Sequence, residues 1–122
     1  MNYNTKHFID ICLQSVFAAT KKIKSEIIVV DNGSIDGSIN QIRLLFPDVV
    51  LIKNKKNLGF SKGVNIGVKS AKGKYICILN PDTIVSENSF ELAINNLKKN
   101  PNIGIVGPVS YTHLTLPTNT TV

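Results

Sequence analysis

Three short polar clusters contain the residues of this sequence whose types and spacing could do chemistry: residues 31–34 (DNGS), 57–60 (NLGF) and 80–82 (NPD). Each could be only a turn, because Asp, Asn and Gly are residues that tight turns favour. However, Asp31 follows directly on an apolar run and Asp82 comes in the turn after another, and a carboxylate at the end of a buried strand is costly unless a cation or a hydrogen-bond donor meets it. A divalent cation that carries a diphosphate would meet these carboxylates.

The segments around these clusters alternate between strand and helix patterns. Short β-branched runs predict strands, and apolar residues at helical spacing predict helices. The predicted strands are residues 26–31, 49–53 and 74–79, with a further apolar run at 103–106, and the predicted helices are 5–19, 39–45, 61–71 and 88–99. This alternation predicts an α/β fold with a mostly parallel sheet flanked by helices. Ligands bind beyond the carboxyl ends of the strands in such sheets, which is where the three clusters fall.

Composition and charge limit the classes of partner. The 122 residues are 43% hydrophobic and 18% charged, which fits one globular domain. The net charge of +6 comes from lysines spread along the chain, which usually lie on solvated helix ends but would also attract a diphosphate or an anionic membrane surface. Nucleic acid is not expected as a partner, because aromatic residues are few, Trp is absent and no basic stripe is interleaved with aromatic side chains.

Other classes are disfavoured by motifs that the sequence lacks. It has neither the GxGxxG loop of dinucleotide enzymes nor the GxxxxGK[ST] loop of P-loop NTPases. It shows no signal peptide and no apolar run of the length that spans a bilayer, so we expect this segment neither to be exported nor to cross a membrane. Cys12 and Cys77 lie in apolar periodic segments, and we predict that both are small core residues in a reducing, cytoplasmic setting.

Three longer motifs occur in a specific order and spacing. They are EIIVVDNGSIDGS at residues 26–38, NKKNLGFSKGVNIG at residues 54–67 and AKGKYICILNPD at residues 71–82. The series resembles that of family 2 glycosyltransferases, and the resemblance covers residues 2–108. It implies a GT-A, Rossmann-like α/β domain that binds a nucleotide-sugar, and an enzyme that transfers the sugar with inversion.

The resemblance also implies which residues bind the nucleotide-sugar. Tyr3 matches the family residue that packs on the base, and Asp31 and Asn32 match the pair that hydrogen-bonds to base and ribose. The pair is Asp-Asn here, where Asp-Asp is commoner, so the choice between uracil and thymine stays open. The loop and helix start that approach the donor are matched by Gly59, Lys62 and Asn65.

The third motif matches the family's D-x-D position, with Asn80 in place of the first Asp. Asn80 is therefore assigned to the nucleotide-sugar, and Asp82 to a Mg²⁺ or Mn²⁺ ion held against the diphosphate. Such an ion would neutralise the charge of the leaving group. The Arg that some members carry before Asn65 is Val64 here, which weakens the expected contacts at that point.

The implied enzyme is a hexosyltransferase that moves a sugar from a UDP- or dTDP-sugar to a polysaccharide or lipid-linked acceptor in cell-envelope glycan synthesis. The DNGS and LNPD forms are similar to those of rhamnosyltransferase-like members. The family's general base, a carboxylate far downstream, has no match here, and neither His7 nor His113 is assigned to that role. The catalytic residue is thus unknown, and we expect the 122-residue chain alone to be inactive.

The sequence also indicates which parts of a full glycosyltransferase domain this chain contains. It opens on a predicted helix, whereas a doubly wound sheet normally starts with a strand, so we expect the first strand and the acceptor-binding half to be missing. Residues 1–108 would form the nucleotide-sugar-binding domain, and residues 109–122, which are Thr-rich, uncharged and without period, a non-native tail. The expected location is the cytoplasm, at the inner face of the membrane, with peripheral association through the missing C-terminal part.

Two other classes of function stay open. One is a non-catalytic nucleotide- or sugar-nucleotide-binding α/β module, because a fold does not fix a function and the general base is absent. The other is a plain α/β domain that binds a protein partner. A nucleotide that raises the melting temperature would disfavour this last class.

The first prediction concerns residues 109–122. Deletion of this segment should leave the melting temperature unchanged or raise it, because the segment lacks charge, period and family motifs. Thermal denaturation followed by circular dichroism measures the effect. A loss of more than a few degrees, which for a domain of about 100 residues corresponds to roughly 1 kcal/mol, would show that the segment packs on the domain.

Overall fold

Four helices and a two-stranded parallel sheet make up residues 1–108, the part of the chain that the computed structural model describes. In chain order the elements are α1 (Lys6–Ala19), β1 (Ile28–Asp31), α2 (Ser38–Leu45), β2 (Val50–Lys53), α3 (Phe60–Ser70) and α4 (Ser89–Lys99). All four predicted helices and the first two predicted strands are confirmed, with small shifts at their ends. The expected tail at residues 109–122 lies outside the described residues.

The sheet is parallel, as predicted. β1 and β2 pair from Ile28 opposite Val50 to Asp31 opposite Lys53, and α2 forms the crossover between them. On the other side of β1, Asn2 makes an isolated parallel bridge with Asp31. The Asn2 N–H donates to the Val30 carbonyl at 2.7 Å, and the Asn32 N–H donates to the Asn2 carbonyl at 2.9 Å. The chain start therefore extends the sheet by one bridge.

The predicted strand at residues 74–79 is wrong, since the structure gives this segment no strand pairing. A strand needs a neighbour that offers a ladder of backbone groups. The segment beside it is the chain start, and the link between them is a single bond of 3.4 Å from the Met1 amino group to the Leu79 carbonyl. Without a covering layer, Cys77 is exposed, so the prediction that both cysteines are core residues holds only for Cys12, which is buried.

The apolar core lies on one face of the sheet, where α1 and α2 pack. Its buried cluster consists of Ile9, Leu13, Val29 and Ile42, with Ile27, Phe46, Val49 and Leu51 packed against it. Val30, the next residue of β1, points to the opposite face, where a Cβ at Gly67 of α3 would lie 3.1 Å from it. Helices therefore cover both faces of β1, as expected for a strand with consecutive apolar residues.

None of the helices within residues 1–108 is long and apolar enough to cross a bilayer.

A second prediction tests this core. Ile42 is 1% exposed, whereas Leu44 on the same helix is 82% exposed. Ile42→Ala should lower the free energy of unfolding by about 2–5 kcal/mol, because it removes buried methyl groups and leaves a cavity. Leu44→Ala should change it by less than about 0.5 kcal/mol. Urea denaturation measures both, and Ile42→Val, at about 0.5–1.5 kcal/mol, keeps the test informative if the alanine variant is unfolded. Equal effects at the two positions would place the core elsewhere.

Candidate functional site

The carboxylate of Asp31 is the centre of a buried polar network at the carboxyl end of β1. Its side chain is 0% exposed. One carboxylate oxygen, Oδ1, accepts a hydrogen bond from the Asn2 side-chain amide at 2.7 Å. The other, Oδ2, accepts from the backbone N–H groups of Gly33 at 3.1 Å and Ser34 at 3.0 Å. Three donors therefore compensate the burial of this group and shape the turn that follows the strand.

Asn2 joins this network to α2. Its Nδ2 lies within hydrogen-bond distance of three acceptors, namely Asp31 Oδ1, Ser34 Oγ at 3.2 Å and Ser38 Oγ at 2.9 Å. Its Oδ1 accepts a bond from the hydroxyl of Thr5, just before α1. Asn2 and Ser38 are both fully buried. The chain start, the turn after β1 and the first residue of α2 are thus fixed to one side chain.

The Asp36 carboxylate accepts hydrogen bonds from the N-termini of two helices. Its Oδ2 accepts from the N–H of Lys6, the first residue of α1, at 2.9 Å, and its Oδ1 accepts from the N–H of Ser38, the first residue of α2, at 3.0 Å. Burial would raise the pKa of Asp36, but hydrogen bonds from the Ser38 hydroxyl and from the Ser38 and Lys6 N–H groups lower it below its ordinary value. A carboxylate at helix N-termini is also favoured by the helix dipoles.

Asn32 connects the first polar cluster to the second. Its Nδ2 donates to the Gly59 carbonyl at 3.0 Å and to Asn57 Oδ1 at 3.2 Å. Its Oδ1 accepts from the Asn54 amide at 2.9 Å and from the Leu58 N–H at 3.4 Å. The side chain is 1% exposed. The loop of residues 54–59 is therefore anchored to the end of β1 through one carboxamide.

Two glycines allow this loop and α3 to approach β1 closely. Gly33 has a φ of +83°, and a Cβ there would lie 3.0 Å from the Cα of Lys56, which is tighter than most real Cβ contacts. A Cβ at Gly63, in the first turn of α3, would overlap the Met1 sulfur and lie 3.3 Å from Asn32 Nδ2. Gly59 has a φ of +87°, as its place in the predicted turn requires.

The third cluster lies beside α1 and is open to solvent. The Asn80 carbonyl accepts from the Cys12 thiol at 3.7 Å and from the Thr83 N–H at 3.3 Å. Asp82 is exposed and borders a cavity of about 70 Å³. Burial and, to a smaller degree, the negative charge of Asp82 raise the pKa of Cys12. The thiol therefore stays protonated near neutral pH, and the Asp82 carboxylate lies close to it.

The residues predicted to bind ligand fall into two groups. Asp31 and Asn32 are buried, and their polar atoms are used within the chain. The others are exposed: Tyr3, Gly59, Lys62, Asn65, Asn80 and Asp82. Asn32 ties the first cluster to the second, and the contact of Met1 with Leu79 brings the third cluster to the chain start. Within residues 1–108 there is no group of three His, Cys, Asp or Glu side chains that could hold a metal by themselves.

Several residues of the network were given no role from the sequence, although Ser34 and Asn57 belong to the polar clusters noted there. They are Asn2, Ser34, Asp36, Ser38, Asn54 and Asn57, and most lie in or beside the quoted motifs. The density of Asn, Ser and Asp in these motifs was the available signal. Residue type alone does not show which backbone groups such side chains reach, because that depends on how the loops fold over the end of β1.

The comparison with protein-family models decides the family. The model of glycosyl transferase family 2 matches residues 1–117 of the chain. The chain belongs to this family. The predicted membership of family 2 is thereby confirmed, and the α/β fold with its parallel sheet agrees with it.

Individual relatives agree with this assignment. The chain is 33% identical over 108 residues to an uncharacterised glycosyltransferase of Haemophilus influenzae, a match covering 86% of this chain and 33% of that protein. It is 32% identical over 106 residues to a poly-beta-1,6-N-acetyl-D-glucosamine synthase of Staphylococcus aureus, covering 85% of this chain and 26% of that protein. The chain thus spans a third or less of these family 2 relatives.

A solved structure supports the fold. The crystal structure of Staphylococcus aureus TarS superimposes with a TM-score of 0.71 at 21% sequence identity. The similarity covers 80% of this chain and 30% of that chain. At this level of identity the match establishes the GT-A type of α/β fold for the family 2 domain described here.

A third prediction tests the buried carboxylate. Asp31→Asn should lower the free energy of unfolding by about 1–3 kcal/mol, because one amide cannot accept from Asn2 on one side and from the Gly33 and Ser34 N–H groups on the other. Asp48→Asn makes the same charge change at an exposed position and should cost less than about 0.5 kcal/mol. Urea denaturation at constant pH compares them. Indistinguishable stabilities would show that the Asp31 network does not stabilise the fold.

Proposed function

We propose that this chain forms the donor-binding part of an inverting glycosyltransferase that uses a UDP- or dTDP-sugar. The observation that carries the proposal is the arrangement at the carboxyl edge of the sheet, where one hydrogen-bonded network joins the end of β1 to the loop before α3. Exposed polar residues surround this network, and such edges are where open α/β sheets bind ligands. Membership of family 2 supports a nucleotide-sugar as the ligand.

The proposed donor contacts come from the exposed residues. Tyr3 is 47% exposed beside the end of β1, so its ring is available to stack on the base. Lys62 lies on the exposed side of the first turns of α3 and would attract a diphosphate, with Asn65, Gly59 and Asn80 as further polar contacts. Asp31 and Asn32 are proposed for the base and ribose. Direct contact would require each of them to exchange a hydrogen bond that it makes within the chain.

The metal part of the proposal rests on Asp82. It is an exposed carboxylate at the turn after residue 79, and the described residues contain no three-ligand cluster, so the protein would supply one carboxylate and the diphosphate the remaining charged ligands. This fits Mg²⁺ or Mn²⁺, since Mg²⁺ commonly binds through one or two carboxylates together with substrate phosphates. A bound cation would offset the charge that develops on the leaving nucleoside diphosphate.

The acceptor is proposed from the relatives. A synthase of poly-beta-1,6-N-acetyl-D-glucosamine makes a glycan polymer, which favours a polysaccharide or lipid-linked acceptor in envelope synthesis for this chain as well. The net charge of +6 is compatible with electrostatic attraction to the inner face of an anionic membrane. We also propose that the transferred sugar is a hexose, which includes a rhamnose-like sugar. Since no residue matches the family's general base, we expect residues 1–122 to bind a donor without turnover.

A fourth prediction tests donor and metal together. The chain should bind UDP or dTDP at least tenfold more tightly with Mg²⁺ or Mn²⁺ than in EDTA, and Asp82→Ala should remove this metal dependence, because the carboxylate reaches the diphosphate only through a cation. Isothermal titration calorimetry measures both.

Asp48→Ala is the matched control for this experiment, since it removes an exposed carboxylate that is far from the polar clusters in the fold. It should leave affinity and metal dependence unchanged. Equal affinity in EDTA would contradict the metal role. No binding of either nucleotide under any condition would contradict the donor-binding proposal itself.

A further inference from the structure

The loop of residues 54–59 is organised by a single buried side chain. We infer that the carboxamide of Asn32 is a positioning group that sets the conformation of this loop and of the first turn of α3. With the partners that the loop of this chain presents, the position takes an amide and not a carboxylate. The structural part of this inference stands on the described contacts alone. Its consequence for donor binding rests on the proposed function.

The orientation of the Asn32 amide is fixed by backbone partners. The Gly59 carbonyl can only accept a hydrogen bond, so the atom that faces it at 3.0 Å must be the NH₂ group. The Leu58 N–H can only donate, so the atom at 3.4 Å from it must be the oxygen. The exchange of oxygen and nitrogen that often makes Asn ambiguous is therefore excluded by two groups whose roles cannot change.

A carboxylate would fail on one side of this arrangement. It could still accept from Leu58 and from the Asn54 amide, but its second oxygen would face the Gly59 carbonyl and Asn57 Oδ1, which are both acceptors. Asn32 is 1% exposed, so water cannot relieve the repulsion. A buried charge opposite two acceptors is costly, and the loop is the part that is free to move away.

The amide acts on α3 as well as on the loop. Asn57 Oδ1 also accepts from the Gly59 N–H at 2.8 Å, and the Gly59 carbonyl also accepts from the Gly63 N–H at 3.2 Å, which is the first turn of α3. Gly63 packs so closely that a Cβ there would lie 3.3 Å from Asn32 Nδ2. Asn32, Asn57, Gly59 and Gly63 thus form a continuous chain of contacts, which we name the amide clasp.

The amide clasp determines where α3 begins relative to the end of β1. Lys62 and Asn65, the exposed α3 residues proposed to face the donor, lie on either side of Gly63 of the clasp in the chain. A binding site that is already in its bound shape loses less entropy when the ligand arrives, so the clasp would raise donor affinity in addition to any contact that Asn32 itself makes with the base or ribose.

The test is amide hydrogen exchange, followed by NMR, on the 122-residue chain without nucleotide. Asn32→Asp should speed exchange at the Gly59 and Gly63 N–H groups about tenfold, as expected when a hydrogen bond is lost and an acceptor is left buried, while amides of α1 and β2 keep their rates. Asn57→Asp is the matched control: it makes the same amide-to-carboxylate change in the same loop, but Asn57 uses its oxygen as an acceptor, and a carboxylate keeps that role. It should leave both rates unchanged.

Two further measurements keep the inference testable if Asn32→Asp does not fold. Asn57 is exposed, so Asn57→Ala should fold and speed exchange at the Gly59 N–H. In the unaltered chain, the Asn32 NH₂ protons should exchange slowly and show nuclear Overhauser contacts to the Gly59 and Phe60 backbone. Fast-exchanging NH₂ protons, or equal behaviour of Asn57→Ala and Asn57→Asp, would overturn the inference.

Calorimetric titration with UDP and Mg²⁺ separates the clasp from the proposed function. If the loop rates rise in Asn32→Asp and affinity for UDP falls at least tenfold, Asn32 acts as a positioning residue. If affinity falls while the loop rates stay unchanged, Asn32 acts by touching the nucleotide, and the inference is wrong. If the loop rates rise but the unaltered chain binds neither UDP nor dTDP, the clasp stands and the donor-binding proposal fails.

Discussion

A carboxylate buried at the end of a strand must find hydrogen-bond donors, and this requirement organises the molecule around Asp31. The donors come from Asn2 and from the two N–H groups of the turn after β1. Because Asn2 also reaches Ser38, satisfaction of one carboxylate fixes the chain start, the turn and the beginning of α2 together. No buried side-chain nitrogen or oxygen of the described residues lacks a partner. The polar end of the sheet is therefore as fully determined as the apolar core.

The apolar core and the polar network stabilise different parts of the fold. The core around Ile42 holds α1 and α2 on one face of the sheet, but it does not specify how loops leave the strands. That specification comes from side chains at the carboxyl edge, where Asp36 satisfies the starts of two helices and Asn32 holds the loop before a third. Three helix N-termini are positioned in this way around the carboxyl end of β1.

Much of the fold could be predicted from the sequence because helices and their stripes are local patterns. The ends of α1 and α4, for example, lie within one residue of the prediction. The strand at residues 74–79 could not be predicted correctly, since strand pairing depends on a neighbour, and here the neighbour is the short chain start. That the first two polar clusters would meet at the carboxyl end of β1 was predictable from topology. The burial of Asp31 and Asn32, and the central place of the Asn2 amide, could not be predicted. Residue type does not reveal which of several partners a polar side chain will meet.

Two amides stand where the family more often carries carboxylates, Asn32 beside Asp31 and Asn80 before Asp82, and they have a common electrostatic effect. The Asp31 charge is met by donors inside the fold, which leaves Asp82 as the exposed carboxylate among the residues assigned to the donor. A nucleoside diphosphate, the proposed ligand, is an anion, so each carboxylate missing from its surroundings would lessen repulsion. The amide at residue 32 donates to the Gly59 carbonyl, as a carboxylate cannot. In the proposed donor site it would also add no negative charge next to the nucleotide. Both properties come from the same NH₂ group, so in the proposed site loop geometry and the charge next to the ligand would be coupled at this position.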